Sequence, residues 1–151
     1  MKKHIFPVFA MITILLGIAL GLYQIYLQFW PIRTLEIYNQ PVKVLNTPVH
    51  PGEPITMDLH YCKFAALPAK IIRQLVGEFT NPSGYDLIPI SDKSLTSNAP
   101  AGCFMQKVSI LIPLTVPIGT YHAQTTVQYD VNPVRTINVV WITDKFQVIN
   151  P

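Results

Sequence analysis

Lys2, Lys3 and His4 stand ahead of 28 uncharged residues in line, Ile5 to Ile32, and Arg33 brings the next charge. At about 1.5 Å per helical residue the run reaches roughly 42 Å, more than the roughly 30 Å of bilayer hydrocarbon. A stretch of this length decides the compartment of whatever follows it. Tyr23, Tyr26, Phe29 and Trp30 put aromatic rings where a helix leaves the headgroup region, and Lys2 and Lys3 sit at the opposite end, as the positive-inside bias requires. The expectation is a basic N-terminus and transmembrane anchor over residues 1–31, N-terminus cytoplasmic, with residues 32–151 exported, into the periplasm if the cell is Gram-negative. A cleaved signal peptide is the alternative, because Ile5 to Ile18 follows a short basic start and Ala19 and Gly21 frame a cut before Leu22. Against it, the apolar run continues through Ile25, Leu27 and Trp30, and Ala19-Leu20-Gly21 is not an A-x-A site. Either reading exports the remainder.

That remainder is long enough for one domain with a modest core and too short for two. The chain has 11 Lys and Arg against 8 Asp and Glu, and two of those cations are Lys2 and Lys3, so the exported part is close to neutral. Its cations are scattered singly. A nucleic-acid partner, which calls for clustered Lys and Arg, is not expected.

Fourteen prolines cut the apolar material into pieces too short for long helices, which favours strands. In Ile55 to Tyr61 the residues Ile55, Met57, Leu59 and Tyr61 alternate with Thr56, Asp58 and His60, the period of a strand with one buried and one wet face. The same period returns where Tyr121, Ala123, Val127, Tyr129 and Val131 alternate with His122, Gln124, Thr126, Gln128 and Asp130. Thr125 is the one polar residue at an inward position there. Further strands are expected over Leu35 to Tyr38, Val42 to Leu45, Phe104 to Ile112 and Thr136 to Ile142, the last continuing as Lys145 to Ile149. Pro41 interrupts the first pair, which a strand tolerates at an edge or a bulge. Turns are expected at His50-Pro51-Gly52-Glu53, Asn81-Pro82-Ser83-Gly84, Pro117-Ile118-Gly119 and Asn132-Pro133. Leu67 to Phe79 fits the apolar stripe of a helix as well as a strand. The turn at Asn81 to Gly84, leading into Tyr85 to Ile90, decides for a β-hairpin.

About seven strands at this spacing argue an all-β, antiparallel, immunoglobulin-like β-sandwich behind one N-terminal transmembrane helix. Pro117-Ile118-Gly119-Thr120-Tyr121 resembles the corner that opens the penultimate strand of immunoglobulin-like and fibronectin-like modules, where a glycine turn precedes an inward tyrosine. That resemblance implies strands over residues 35–45, 55–61, 70–80, 85–90, 104–112, 120–131 and 136–149. Tyr61-Cys62-Lys63, Leu67-Pro68-Ala69, Arg73-Gln74 and Asn132-Pro133-Val134-Arg135-Thr136, behind a basic start and an apolar segment, are together similar to small uncharacterised membrane-anchored proteins of phages and bacteria. Export permits oxidation of the two cysteines, Cys62 and Cys103. If the strands ending at Cys62 and starting at Cys103 are antiparallel neighbours, the pair forms a disulfide at one end of a sheet. Cys62 has the opposite parity to Ile55, Met57, Leu59 and Tyr61, so this staple departs from the antibody pattern of an inward cysteine bridging the core.

Signatures of catalysis are absent: no G-x-S-x-G, no H-E-x-x-H and no phosphate-cradling glycine loop. His50 belongs to a turn, His60 and His122 fall on outward faces of different sheets, and Glu36, Glu53, Asp58, Glu78, Asp130 and Asp144 are isolated along the chain. No metal and no cofactor is expected. Tyr85, Tyr121, Tyr129, Phe104 and Trp141 read as core or its polar-tipped border. The polar loop Ser91 to Gly102, through Ser91, Asp92, Lys93, Ser94 and Asn98, is the candidate contact surface, with Pro113 to Ile118 a second. The expected function is a noncatalytic, membrane-anchored exported β-sandwich that binds or displays to another envelope or virion protein through loops or an unpaired edge strand. The alternatives are a structural membrane subunit of a particle, for which Gly17 and Gly21 supply a G-x-x-x-G and a homo-oligomer, or a small-ligand or sugar-binding domain.

Overall fold

The computed structural model describes residues 5–29, 34–78, 86–90 and 95–150. Lys2, Lys3, Trp30, Tyr85, the turn at Asn81 to Gly84, and Ser91, Asp92, Lys93 and Ser94 lie outside the described residues. The chain divides into two units, one holding residues 1–33 with 131–136, the other holding 34–130 with 137–151.

In the first unit, helix α1 runs Ile5–Phe29, and its stretch Ala10–Phe29 is uncharged and has none of its length buried. Twenty-five residues at about 1.5 Å each exceed the hydrocarbon thickness. The helix is therefore long and apolar enough to cross a membrane, a description that an anchor and a signal sequence both meet.

The second unit is antiparallel β. Its strands are β1 (Glu36–Tyr38), β2 (Pro54–Lys63), β3 (Ala69–Gly77), β4 (Asp86–Pro89), β5 (Leu95–Ser97), β6 (Gly102–Leu111), β7 (Gly119–Asn132), β8 (Arg135–Ile142) and β9 (Phe146–Val148). One sheet has the order β1-β2-β6, the other β4-β3-β7-β8, with β5 also on β3 and β9 also on β7. Nine strands replace the expected seven for two reasons. Asp86–Pro89 and Leu95–Ser97 pair separately along one edge of β3, and the chain breaks at Thr143 to Lys145 between β8 and β9.

Residues 69–77 form a strand, as the hairpin argument requires, and β4 pairs with β3 from Gln74↔Pro89 to Gly77↔Asp86. Ala69, Leu75 and Thr125 point into the core, while Lys70, Gln124 and Gln128 do not. Period two has overridden the helical stripe. The core lies between the sheets, where Ile55, Met57 and Leu59 of β2 and Tyr121, Ala123, Val127 and Tyr129 of β7 are buried. Tyr38 of β1 stacks near Trp141 of β8, ring centroids 5.8 Å apart, across the same gap.

The expected strand 35–45 is cut short. Its continuous ladder with β2 runs over Glu36–Tyr38, and past Pro41 the chain returns to β2, where the Leu45 amide donates to the Thr56 carbonyl at 2.8 Å. From there the segment 39–50 laces the two sheets together. Val42 bridges Thr143 in parallel, Val44 bridges Met57 antiparallel, and Val49 bridges Val148 in parallel. Pro41 is thus tolerated where the chain changes partners, not within a ladder. At the next turn the Glu53 amide donates to the His50 carbonyl at 3.0 Å, with Gly52 at φ 89°. That is a type II reversal, with proline at its second position and glycine at its third. The Tyr121 hydroxyl donates to the Pro117 carbonyl at 2.7 Å, so the tyrosine corner anticipated from five residues is present.

Candidate functional site

Cys62 and Cys103 are directly opposite each other on β2 and β6, with Cα atoms 4.0 Å apart, and are joined as a disulfide. A separation this short marks a pair that does not exchange backbone hydrogen bonds. The amide and carbonyl of Cys103 therefore point away from β2. Alternation gives the same direction to Met105, Lys107, Ser109 and Leu111, and on the other parity Ile112 does donate back toward β2, to the Glu53 carbonyl. All ten residues of β6 are in register with β2, and among the described residues no strand lies on its other side. The result is a long edge whose outward backbone groups are unpaired.

Beside this edge the outer face of the sheet is apolar. Ile37, the disulfide, His60 and Met105 line a groove of about 450 Å³, and Met105 is 76% exposed. Farther along, Lys107 stands opposite Asp58 and Ser109 opposite Thr56. A lysine on an edge strand is a common guard against indiscriminate pairing.

The inner face carries a second, polar feature. Glu36 and Lys63 are register partners on β1 and β2, 5% and 3% exposed, inside the sandwich. The Tyr129 hydroxyl donates to Glu36 Oε2 at 2.7 Å, and Lys63 Nζ donates to the carbonyls of Leu67 at 2.7 Å and Ala99 at 2.9 Å. The ammonium also lies 5.4 Å from the Tyr129 ring centre. Tyr38, Tyr61 and Phe104, in register across the three strands, stack with centroids 5.5 and 5.3 Å apart. Next to this cluster, Arg73 of β3 and Thr125 of β7 are register partners facing inward. Arg73 Nε and Thr125 Oγ1 are buried without a hydrogen-bond partner. Glu36, Tyr38, Tyr61, Tyr129, Arg73 and Thr125 border a cavity of about 70 Å³ between the sheets, with Ser97 and Gln106 on its wall.

Burial, and then the hydrogen bond to the Glu36 carboxylate, push the Tyr38 and Tyr129 hydroxyls far above the ordinary phenol value. Burial lowers Lys63, partly offset by Glu36, and burial lowers Arg73. An acid raised on folding stays protonated in the fold after the unfolded chain has lost its proton, so stability falls as pH rises above the unfolded value of 10.0. Lys63 acts in the opposite sense, but its contribution ends at its unfolded value of 10.5. Above that pH the domain is expected to lose up to about 1.4 kcal/mol per pH unit for each of the two tyrosines. The part of the tyrosinate absorbance that belongs to Tyr38 and Tyr129 should then rise in one cooperative step together with unfolding. Smooth, early titration of every tyrosine in a still-folded protein would contradict the buried cluster.

Of the residues singled out from sequence, Cys62 and Cys103 are brought together, and Asn98 is exposed just past β5. Leu95–Ser97, within the expected contact loop, is a strand paired with β3. Tyr23 and Tyr26 lie in α1 and are exposed. His60 and His122 face outward from different sheets, as read. Glu36 and Glu78 are not isolated in space, since Glu36 meets Tyr129 and Glu78 pairs with Lys145. Sequence reasoning missed Glu36, Lys63 and Arg73. A signal was available: Lys63 shares the inward parity of Leu59 and Tyr61, and Arg73 that of Ile71 and Leu75. No group of three or more His, Cys, Asp or Glu side chains is placed to hold a metal among the described residues.

No family model matches the chain, and no curated protein matches it. Among solved structures, the PapD-like domain 7 of human CEP192 is similar over 80% of this chain and 89% of its own, at 18% identity and TM-score 0.44. The alkylpurine DNA glycosylase AlkC of Pseudomonas fluorescens, bound to DNA containing an abasic site analog, matches over 78% of this chain and 31% of its own, at 13% identity and TM-score 0.39. The sporulation control protein Spo0M of Bacillus subtilis matches over 79% and 51%, at 12% identity and TM-score 0.37. At these scores the β-sandwich stands on its own strand pairing, and no activity passes from these proteins to this one.

Proposed function

We propose that the chain is a noncatalytic, membrane-anchored, exported β-sandwich that binds another envelope or virion protein by accepting an extended segment of it along β6. The observation that carries this reading is the unpaired edge itself: ten residues in continuous register on one side, with outward amides and carbonyls from Cys103 to Leu111 on the other. Strand addition draws its affinity from such main-chain groups and its selectivity from pockets for alternate side chains, and the groove at Ile37, His60 and Met105 is beside the edge. Self-pairing of two copies about the middle of β6 would set one Lys107 against the other, which like-charge repulsion opposes. The partner is therefore a different chain. Helix α1 fixes the module at the membrane and raises its local concentration there.

The parity of β6 supplies the test. The Lys107 amide faces the free edge, so Lys107→Pro removes an outward donor without breaking the β2 ladder, whereas Gln106→Pro breaks it. A photo-cross-linker at Met105, in the native membrane, is expected to give one defined adduct with a second envelope or virion protein. Lys107→Pro should reduce that adduct at least tenfold while keeping the disulfide and the β spectrum. An undiminished adduct in the folded Lys107→Pro protein, or an adduct with the mass of two copies of this chain, overturns the proposal.

A further inference from the structure

We propose that the cavity between the two sheets, on the side walled by β3 and β7, binds a compact oxyanion, of the size of phosphate, sulfate or acetate, through Arg73 and Thr125. The two side chains are neighbours across a β ladder, both turned into the gap between the sheets. Thr125 is 1% exposed and its hydroxyl has no partner, and Arg73 Nε is likewise buried and unsatisfied. A buried donor left unpaired is costly, more so on a charged group, and native folds seldom carry two side by side without something to receive them.

Charge selects the ligand. The Glu36 carboxylate on the same cavity wall already receives the Tyr129 hydroxyl and faces Lys63 in register. Lys63 in turn is held by two backbone carbonyls. Arg73 is the cation left over, and burial depresses it with no carboxylate acting to restore it. An uncompensated guanidinium with a hydroxyl donor beside it is complementary to an oxyanion, which accepts from both. Gln106 and Ser97 add neutral polar groups at the wall. Size sets the upper limit: about 70 Å³ admits a few waters or one small ion and excludes a nucleotide or a sugar ring. The inference is independent of the β6 edge, which lies on the outside of the other sheet.

Thermal unfolding of the full chain in detergent, at fixed ionic strength, would be followed with added phosphate, sulfate or acetate against chloride. The midpoint is expected to rise with the logarithm of one of these oxyanions, by roughly 10 °C at a hundredfold excess over Kd. A response to phosphate and sulfate identifies a tetrahedral inorganic ion. A response to acetate identifies a carboxylate, the group that an acidic side chain or chain end would present. Arg73→Met should abolish the rise. Thr125→Val, which removes an unpartnered hydroxyl at constant shape, should match or exceed the parent midpoint without oxyanion and lose at least half of the shift with it. The Arg73 Nε–H resonance should move on titration. Equal stabilisation by chloride, a rise that survives in Arg73→Met, or an Arg73 signal unmoved by all three ions overturns the proposal in favour of a cavity filled by water.

Discussion

Replacing Cys62 and Cys103 together by serine is expected to lower the stability of the exported domain by about 4 kcal/mol, the chain-entropy value for releasing a closed loop of this length. The two positions are 41 residues apart in sequence. For a domain of this size the loss corresponds to a fall in Tm of roughly 15 °C, a large share of the margin that small domains possess. The structure adds a reason to expect the full effect. The bonded residues are already register partners, so the link asks for no displacement of β2 or β6. The pair is also on the outer face, and serine there leaves no core cavity, which separates loss of the link from loss of packing. Chemical denaturation of parent and double variant, with and without reductant, measures it. The parent under reductant should fall to the level of the variant. A parent insensitive to reductant, or a variant within about 1 kcal/mol of it, would show that the bond contributes little.

Lys63→Met is expected to cost about 3–5 kcal/mol, because it removes a buried cation that stands in register with Glu36 and leaves that side chain without it. The Leu67 and Ala99 carbonyls lose their shared donor, and the Glu36 side chain is left inside the sandwich with the Tyr129 hydroxyl donating to it. Glu36→Gln is expected to be costly for the complementary reason. When both are made, the summed single losses should exceed the double loss by roughly 1–3 kcal/mol, since each substitution relieves the fault created by the other. Denaturation midpoints of the four proteins close the cycle. Additive losses would mean that the two charges do not sense each other, and the account of the polar cluster given by their register and burial would fail.

The alternating run Ile55 to Tyr61 and the inward tyrosines of β7 were legible because half-buried antiparallel strands impose a period of two on the sequence. The corner at Tyr121 was legible because a glycine, a tyrosine and their spacing are local. Leu67 to Phe79 was harder: Leu75 and Val76 are both buried, so the alternation is blurred, and it took the pairing with β4 to fix the strand. The segment 39–50 was not legible, because its partners, Thr143, Met57 and Val148, lie in three separate strands or connections and no local pattern names them. The polar cavity was missed for a related reason. Glu36, Lys63 and Arg73 come from three strands of two sheets, and along the chain each resembles an isolated surface residue until the parity of its own strand is counted, whereas the inward place of Thr125 was legible.

The lacing of residues 39–50 also has a consequence in time. Gln40 meets the Val140 carbonyl, and Thr47 meets the Gln147 amide, each over a span of 100 residues. At a synthesis rate of roughly 5–20 residues per second, the first of each pair waits on the order of ten seconds for the second to be made. During that interval neither contact can form, and both sheets remain unseamed along one margin. The beginning of the domain is therefore the last part to be finished, and it is finished by the end.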